Sequence, residues 1–207
     1  MVELYEFVSK NHPQWTTSDF CKNYVKPFAR QFSCSLLNLL LVVLDGEANR
    51  PMVGRKATIF VSHAWKYENQ RLLSCLTELE NTEDDFFWID TLTVNQHERG
   101  DQPKRDFKWW CRTFLKSIKT IGRTVLVLQP YVDPVPLRRA WCLNEIFCTH
   151  RAEAQFEIVF DRTERPAFAT ALATARLSVD DWITKVDLNT AQTSNASDHK
   201  RILDAVQ

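Results

Sequence analysis

The sequence Ala57-Thr58-Ile59-Phe60-Val61-Ser62-His63 decides the fold of this chain of 207 residues. Its first five residues form a nearly continuous apolar run, which is typical of a strand that is buried on both faces of a parallel sheet. The run ends in a serine and a histidine, so polar side chains are expected at the carboxyl end of the strand. Similar apolar runs predict three further strands, at residues 86–89, 124–128 and 156–160.

Helical patterns separate these strands. Apolar residues spaced three and four apart predict a helix over 72–79, and the strongest stripe of this kind covers 107–121. Further helices are predicted from Trp141 onward and over 166–176. Strand and helix therefore alternate four times. This order predicts an α/β, flavodoxin-like three-layer fold over residues 55–176, with a mainly parallel sheet of four to five strands.

The first part of the chain has a different, helical pattern. Thr16-Thr17-Ser18-Asp19 has the spacing of a capping box, and Pro27 is expected to kink or divide the helix that follows. A second helical piece is predicted over 36–44. We therefore expect residues 1–54 to form an N-terminal helical extension that packs on the α/β domain.

The C-terminal tail, residues 177–207, has weaker patterns. Residues 184–188 are predicted as a possible short edge strand, and Ser197-Asp198 is expected to cap a terminal helix. The sequence contains no internal repeat and no convincing second domain, so one domain with two appendages is expected at this length.

Charge and composition exclude several classes of protein. Lysine plus arginine and aspartate plus glutamate number 26 each, so no net charge attracts the chain to nucleic acid or to an anionic membrane. The most apolar run, 36–44, is too short to span a bilayer, and the N-terminus lacks the regions of a signal peptide. The six cysteines are scattered, which is typical of free thiols in an intracellular protein. We therefore expect a cytoplasmic protein with no nucleic-acid and no membrane partner.

Several common site motifs are absent from the sequence. The chain has only four glycines and no glycine-rich phosphate loop, which argues against a Rossmann dehydrogenase or a P-loop nucleotidase. Cys142, Cys148 and His150 lie on one predicted helix but not on one face, so no metal site is expected. A hydrolase dyad of Cys142 with a distant histidine stays open, although no local signature supports it.

Polar side chains follow the predicted strands at one edge of the sheet. Ser62 and His63 follow the first strand and Asp90 ends the second, and ligands of parallel sheets bind at this edge. Trp141 and Glu145 are four residues apart on a helix that begins at the same edge, so they share a helical face. A ring beside a carboxylate could hold a flat cationic ligand and its sugar.

Each of these residues also has a structural alternative. Ser62 could cap the next helix, with Trp65 packed on that helix. Asp90 could brace the loop that follows it. Trp141 and Glu145 could be a packed tryptophan and a solvated glutamate.

The order of these motifs resembles that of TIR domains, in a divergent branch with a Ser-His-Ala-Trp first box. The resemblance spans roughly residues 55–176. The matching segments are Thr58–His63 (first strand and first box), Phe87–Asp90 (second strand), 92–106 (the BB loop), Ile118–Leu128 (the helix-to-strand step) and Trp141–Glu145 (the Trp-Cys-x-x-Glu box of plant-type members).

The resemblance implies an NAD+ nucleosidase that cleaves the nicotinamide–ribose bond in a signalling or defence response. Glu145 would be the catalytic glutamate, and Trp141, Ser62, His63 and Asp90 would bind the substrate. The resemblance implies NAD+ as substrate, no metal, no further cofactor, and a homo-oligomer formed through TIR–TIR contacts. The alternative is a non-catalytic TIR-like module that self-associates through the BB loop and the neighbouring helices.

Overall fold

A parallel sheet of four strands forms the centre of the molecule. The computed structural model describes residues 2–43, 56–79, 84–97, 107–174, 176–178, 180, 182, 184, 186–193 and 196–206. The strands are β1 (Ile59–Ser62), β2 (Phe87–Trp88), β3 (Arg123–Val127) and β4 (Gln155–Val159), in the order β2-β1-β3-β4. The helices are α1 (Val2–Asn11), α2 (Thr17–Phe20), α3 (Lys26–Ala29), α4 (Leu36–Val43), α5 (Asn69–Leu79), α6 (Asp90–Thr93), α7 (Phe107–Ile121), α8 (Ala140–Arg151), α9 (Glu164–Ala173) and α10 (Ala196–Val206).

The predicted fold class is confirmed. Every pair of neighbouring strands is parallel, and the order β2-β1-β3-β4 is that of flavodoxin-like sheets. Each predicted strand is present, with its ends moved by one or two residues. The described part of the chain has four strands, the lower of the two expected numbers.

The alternating residues of β1 divide the core between the two faces of the sheet. Ile59 and Val61 face α5, where they are buried against Leu72 and Leu76. Phe60 faces the other side, in a cluster of buried side chains from α7 and α8. Both faces of the sheet at β1 are therefore apolar, which explains why the sequence of this strand lacks polar alternation.

The capping box predicted at the start of α2 is present. The Thr16 hydroxyl accepts a hydrogen bond from the Asp19 backbone N–H, and the Asp19 carboxylate accepts one from the Thr16 backbone N–H. The helix continues through a π-helical segment, Cys21–Val25, into α3, whose first turn contains Pro27. The helix is therefore not divided at Pro27, and π-helical hydrogen bonding occurs just before the proline.

The N-terminal helical region is attached to the loop that follows β1. The backbone N–H groups of Thr17 and Ser18 donate to the carbonyl oxygens of Tyr67 (2.8 Å) and Trp65 (3.0 Å). The Asn69 N–H donates in the opposite direction, to the carbonyl of Trp15 (2.7 Å). The extension therefore packs on the α/β domain, as expected. The predicted boundary between residues 54 and 55 lies outside the described residues.

The C-terminal tail contains the predicted terminal helix, α10. The expected strand over 184–188 is not seen in the described residues of that segment, which form turns and irregular structure. The Asp187 side chain explains part of this, because it accepts a hydrogen bond from the Asn189 backbone N–H (2.8 Å) and so stabilises a turn. None of the described helices is both long enough and apolar enough to cross a membrane.

Candidate functional site

Helix α8 brings three polar or polarisable side chains onto the sheet. The helix begins near the carboxyl edge of the sheet, and Cys142, Glu145 and Thr149 are spaced so that they lie on one face. The Thr149 hydroxyl donates to the Glu145 carbonyl oxygen (2.8 Å) and lies 3.0 Å from the Thr124 hydroxyl in β3. These contacts fix the side of α8 that faces the strands.

Glu145 is paired with Ser62 at the end of β1. The Ser62 hydroxyl donates a hydrogen bond of 2.5 Å to Glu145 Oε2, and the two side chains are 0% and 7% exposed. Burial raises the pKa of Glu145 to about 8, the Ser62 hydrogen bond opposes that change, and the negative charge of Asp90 adds to it. The alternative of a solvated glutamate is therefore wrong. Ser62 does not cap α5 either, because that helix begins only at Asn69.

His63 and Cys142 lie beside this pair. The Cys142 thiol is 3.5 Å from the His63 carbonyl oxygen, and burial raises its pKa well above the ordinary value. Burial lowers the pKa of the His63 imidazole, although the charge of Asp90 opposes this. A protonated thiol that contacts a backbone oxygen is a poor nucleophile, so the geometry does not favour the cysteine–histidine dyad.

Asp90 braces the two loops that follow β1 and β2. Its Oδ2 accepts a hydrogen bond from the Trp65 indole N–H (2.9 Å), and its Oδ1 accepts one from the Thr91 N–H (2.7 Å). The Gln96 side-chain amide donates to the Asp90 carbonyl (3.0 Å). The loop-bracing interpretation is therefore confirmed, whereas substrate binding by Asp90 stays a prediction. Residues 98–106 of the expected BB loop lie outside the described residues.

Trp141 is turned toward neighbouring helices. Its ring makes an edge contact with Phe114 of α7, with 5.6 Å between ring centroids. It also packs against a cluster that includes Leu143 and Ile202, between α8 and α10. The packed-tryptophan alternative therefore describes what the ring contacts, and its role at the nicotinamide end stays a prediction.

Trp65 is a residue of this region for which the sequence pattern indicates packing alone. It follows Ser62 by three residues, it is partly exposed, and its indole is anchored to Asp90. An aromatic residue so close to the end of a central strand was the available signal. The sequence could not show that its partner is Asp90, which lies 25 positions along the chain.

The carboxyl ends of β1 and β3 are tied together beside the site. The Tyr67 hydroxyl, in the loop after β1, donates to the carbonyl of Gln129 and accepts from its N–H (2.6 Å). A separate pocket of about 850 Å³ lies between α9 and the loop after β3, and neither Glu145 nor Trp65 lines it. The part of the chain that the structure describes contains no group of three or more residues suited to binding a metal ion.

Comparisons of the chain with protein-family models, with curated proteins and with solved structures find no match. Function is therefore inferred from the geometry of the site itself. The site consists of a buried carboxyl group on α8, the serine at the end of β1 that holds it, and an aspartate that anchors an indole ring.

Proposed function

We propose that this protein is a TIR-like NAD+ nucleosidase that cleaves the nicotinamide–ribose bond in a signalling or defence response, with Glu145 as the catalytic carboxylate. The observation that supports this most is the hydrogen bond between Ser62 and Glu145. It lies where strand order reverses between β1 and β3, and α/β sheets bind ligands at such switch points.

The chemistry of the reaction suits a fixed carboxylate. Nicotinamide leaves as a neutral ring, so positive charge develops on the ribose in the transition state, as in other glycosidic cleavages. A carboxylate held at the edge of a water-poor core stabilises that charge more than a solvated one does. Glu145 has the required burial, and the Ser62 hydroxyl limits its motion.

The charge state of Glu145 sets a condition on this mechanism. With a pKa of about 8, the carboxyl group of the free protein keeps its proton at neutral pH. The nicotinamide ring of NAD+ is a cation, and a nearby cation favours the ionised carboxylate. Substrate binding would therefore promote loss of the proton, and Ser62 would then donate its hydrogen bond to the negative form.

The test uses chromatography to measure the release of nicotinamide from NAD+ by the wild-type protein and by Glu145→Gln. Glu153→Gln is the matched control, because it makes the same chemical change at an exposed position just after α8. We expect Glu145→Gln to lower the rate by roughly 100-fold or more, in the range seen when one electrostatic group is removed. The assay includes a form of the protein whose oligomerisation is enforced, since TIR–TIR assembly is part of the proposal. Equal rates in all proteins, or no release by the wild type under enforced oligomerisation, would contradict it.

A second candidate function is a non-catalytic self-association module, and the surface of α7 favours it. Trp109 is 38% exposed near the start of this helix. With Arg112, Thr113 and Lys116 it lines a shallow pocket of about 270 Å³. Tryptophan and arginine are both enriched in protein contact surfaces.

Sedimentation velocity over a range of concentrations tests this second function, and the NAD+ assay separates it from the first, because only the nucleosidase releases nicotinamide. If self-association is the function, Arg112→Glu with Lys116→Glu should abolish it, whereas Glu145→Gln should leave it intact. If the wild type stays monomeric at every concentration, the second function is wrong.

A further inference from the structure

Two tryptophans near Glu145 could form the aromatic part of a ligand site, and their surroundings differ. The ring of Trp141 contacts Phe114, and it packs against apolar side chains of two clusters, on α7, α8 and α10. Its apolar surface is therefore engaged in joining these helices. Such a ring contributes to stability through packing.

The ring of Trp65 is held in place without being packed in the core. Its backbone carbonyl accepts a hydrogen bond from the Ser18 N–H (3.0 Å), and its indole N–H donates to Asp90 Oδ2 (2.9 Å). Within the described ranges, the ring belongs to no apolar cluster and contacts no other aromatic ring. The indole is therefore fixed at both ends and partly exposed, which leaves part of its ring surface for a flat ligand.

The charges around Trp65 favour a cationic ligand. The Asp90 carboxylate accepts from the indole N–H, which places negative charge at the edge of the ring. The same carboxylate is close enough to influence Glu145, whose partner Ser62 precedes Trp65 by three residues. An indole face attracts cations because of its quadrupole, and a neighbouring carboxylate adds to that attraction.

We propose that Trp65, positioned by Asp90, is the surface on which this site binds a planar pyridinium cation. Within the proposed nucleosidase function, on which this assignment of the ligand rests, that cation is the nicotinamide ring of NAD+. Trp141 then acts in packing and is not part of the ligand site. The ring loses its charge when the glycosidic bond breaks, so this surface binds the substrate more tightly than the released nicotinamide.

The test uses two probes that the enzyme cannot cleave at a ribose bond. One is the 1-methylnicotinamide cation, and the other is neutral nicotinamide. Calorimetry of the intact protein should give an affinity for the cation about tenfold or more above that for the neutral ring, as a desolvated cation–π contact with a nearby carboxylate implies. Equal affinities, or no binding of the cation, would overturn the proposal.

Variants then locate the contact. Trp65→Leu should lower affinity for the cation by about tenfold, whereas Trp141→Phe should leave it unchanged. Asp90→Asn keeps an acceptor for the indole N–H and removes the negative charge. It should therefore lower the affinity for the cation and leave the affinity for neutral nicotinamide unchanged. A general loss of structure would reduce both affinities and lower the melting temperature, which separates it from the expected result. If Trp65→Leu does not fold, the test is the ratio of the affinities of Asp90→Asn for the cation and for neutral nicotinamide. If this ratio is the same as in the wild type, the proposal is overturned.

The outcomes for this site and for the nucleosidase reaction are separable. Binding of the cation with no release of nicotinamide from NAD+ would leave a pyridinium site without nucleosidase activity. Release of nicotinamide that depends on Glu145 but not on Trp65 would support the reaction and overturn the role of Trp65.

Discussion

Replacing Glu145 by glutamine should stabilise the protein at alkaline pH more than at acidic pH. Burial raises the pKa of this carboxyl group from its ordinary value of 4.5 to about 8 in the folded protein. Between these two pH values the folded state keeps a proton that the unfolded state has lost. The free energy of unfolding therefore falls as pH rises through this window, since the unfolded state binds fewer protons.

The size of this effect follows from the two pKa values. Each pKa unit corresponds to about 1.4 kcal/mol. The change from 4.5 to about 8 therefore corresponds to roughly 5 kcal/mol of stability that is present below pH 4.5 and lost by about pH 8. Glutamine has nearly the same shape and can still accept the Ser62 hydrogen bond, but it has no proton to lose in this range. Any cost of burying its amide is independent of pH.

Urea unfolding from about pH 5.5 to about pH 8.5 measures this effect, because it gives the free energy of unfolding at each pH. The difference between Glu145→Gln and wild type should grow steadily in favour of the variant as pH rises. Glu153→Gln should follow the wild type throughout. A difference that stays constant over the whole range would mean that Glu145 is already ionised in the folded protein, and the argument from burial would be refuted.

Two further predictions concern the same cluster. The rate of nicotinamide release at low NAD+ should rise with pH up to about 8, as Glu145 loses its proton. Ser62→Ala should move this rise to higher pH, because the Ser62 hydrogen bond lowers the pKa of Glu145. A pH profile that is the same in Ser62→Ala and wild type would contradict this prediction. The Cys142 thiol should react with a thiol reagent only on unfolding, since it is 4% exposed and its pKa is raised. Peptide mapping after brief labelling should find the partly exposed Cys34 modified first.

The sequence predicts the α/β core well because its signals are local. The apolar run at 57–61 corresponds to β1 (Ile59–Ser62), and the stripe predicted over 107–121 corresponds to α7. In both cases burial on the sheet requires a pattern that repeats within a few residues, so the pattern is readable without knowing the partner. Among the described residues of 184–188, the Asp187 side chain accepts a hydrogen bond that stabilises a turn, and this competes with the expected strand pairing.

The candidate site is less readable because its contacts join distant parts of the chain. The hydrogen bond from Ser62 to Glu145 spans 83 positions. Helical periodicity correctly places Trp141 and Glu145 one turn apart, but it cannot show that α7 and α10 cover the tryptophan. For Trp65, the sequence shows that the residue lies near the end of a strand, but it does not show that Asp90 holds the indole ring.

The N-terminal helical region has a direct consequence for the site, although it lies outside the α/β domain. Thr17 and Ser18 bind the backbone of the loop that carries Trp65, and Asn95 beyond α6 donates to the Ser33 carbonyl (2.7 Å). The region therefore holds the loops after both β1 and β2. Since the position of the Trp65 ring depends on its loop and on Asp90, a change at the α2 cap would alter the site without touching a ligand. The extension thus acts as part of the scaffold that positions the site.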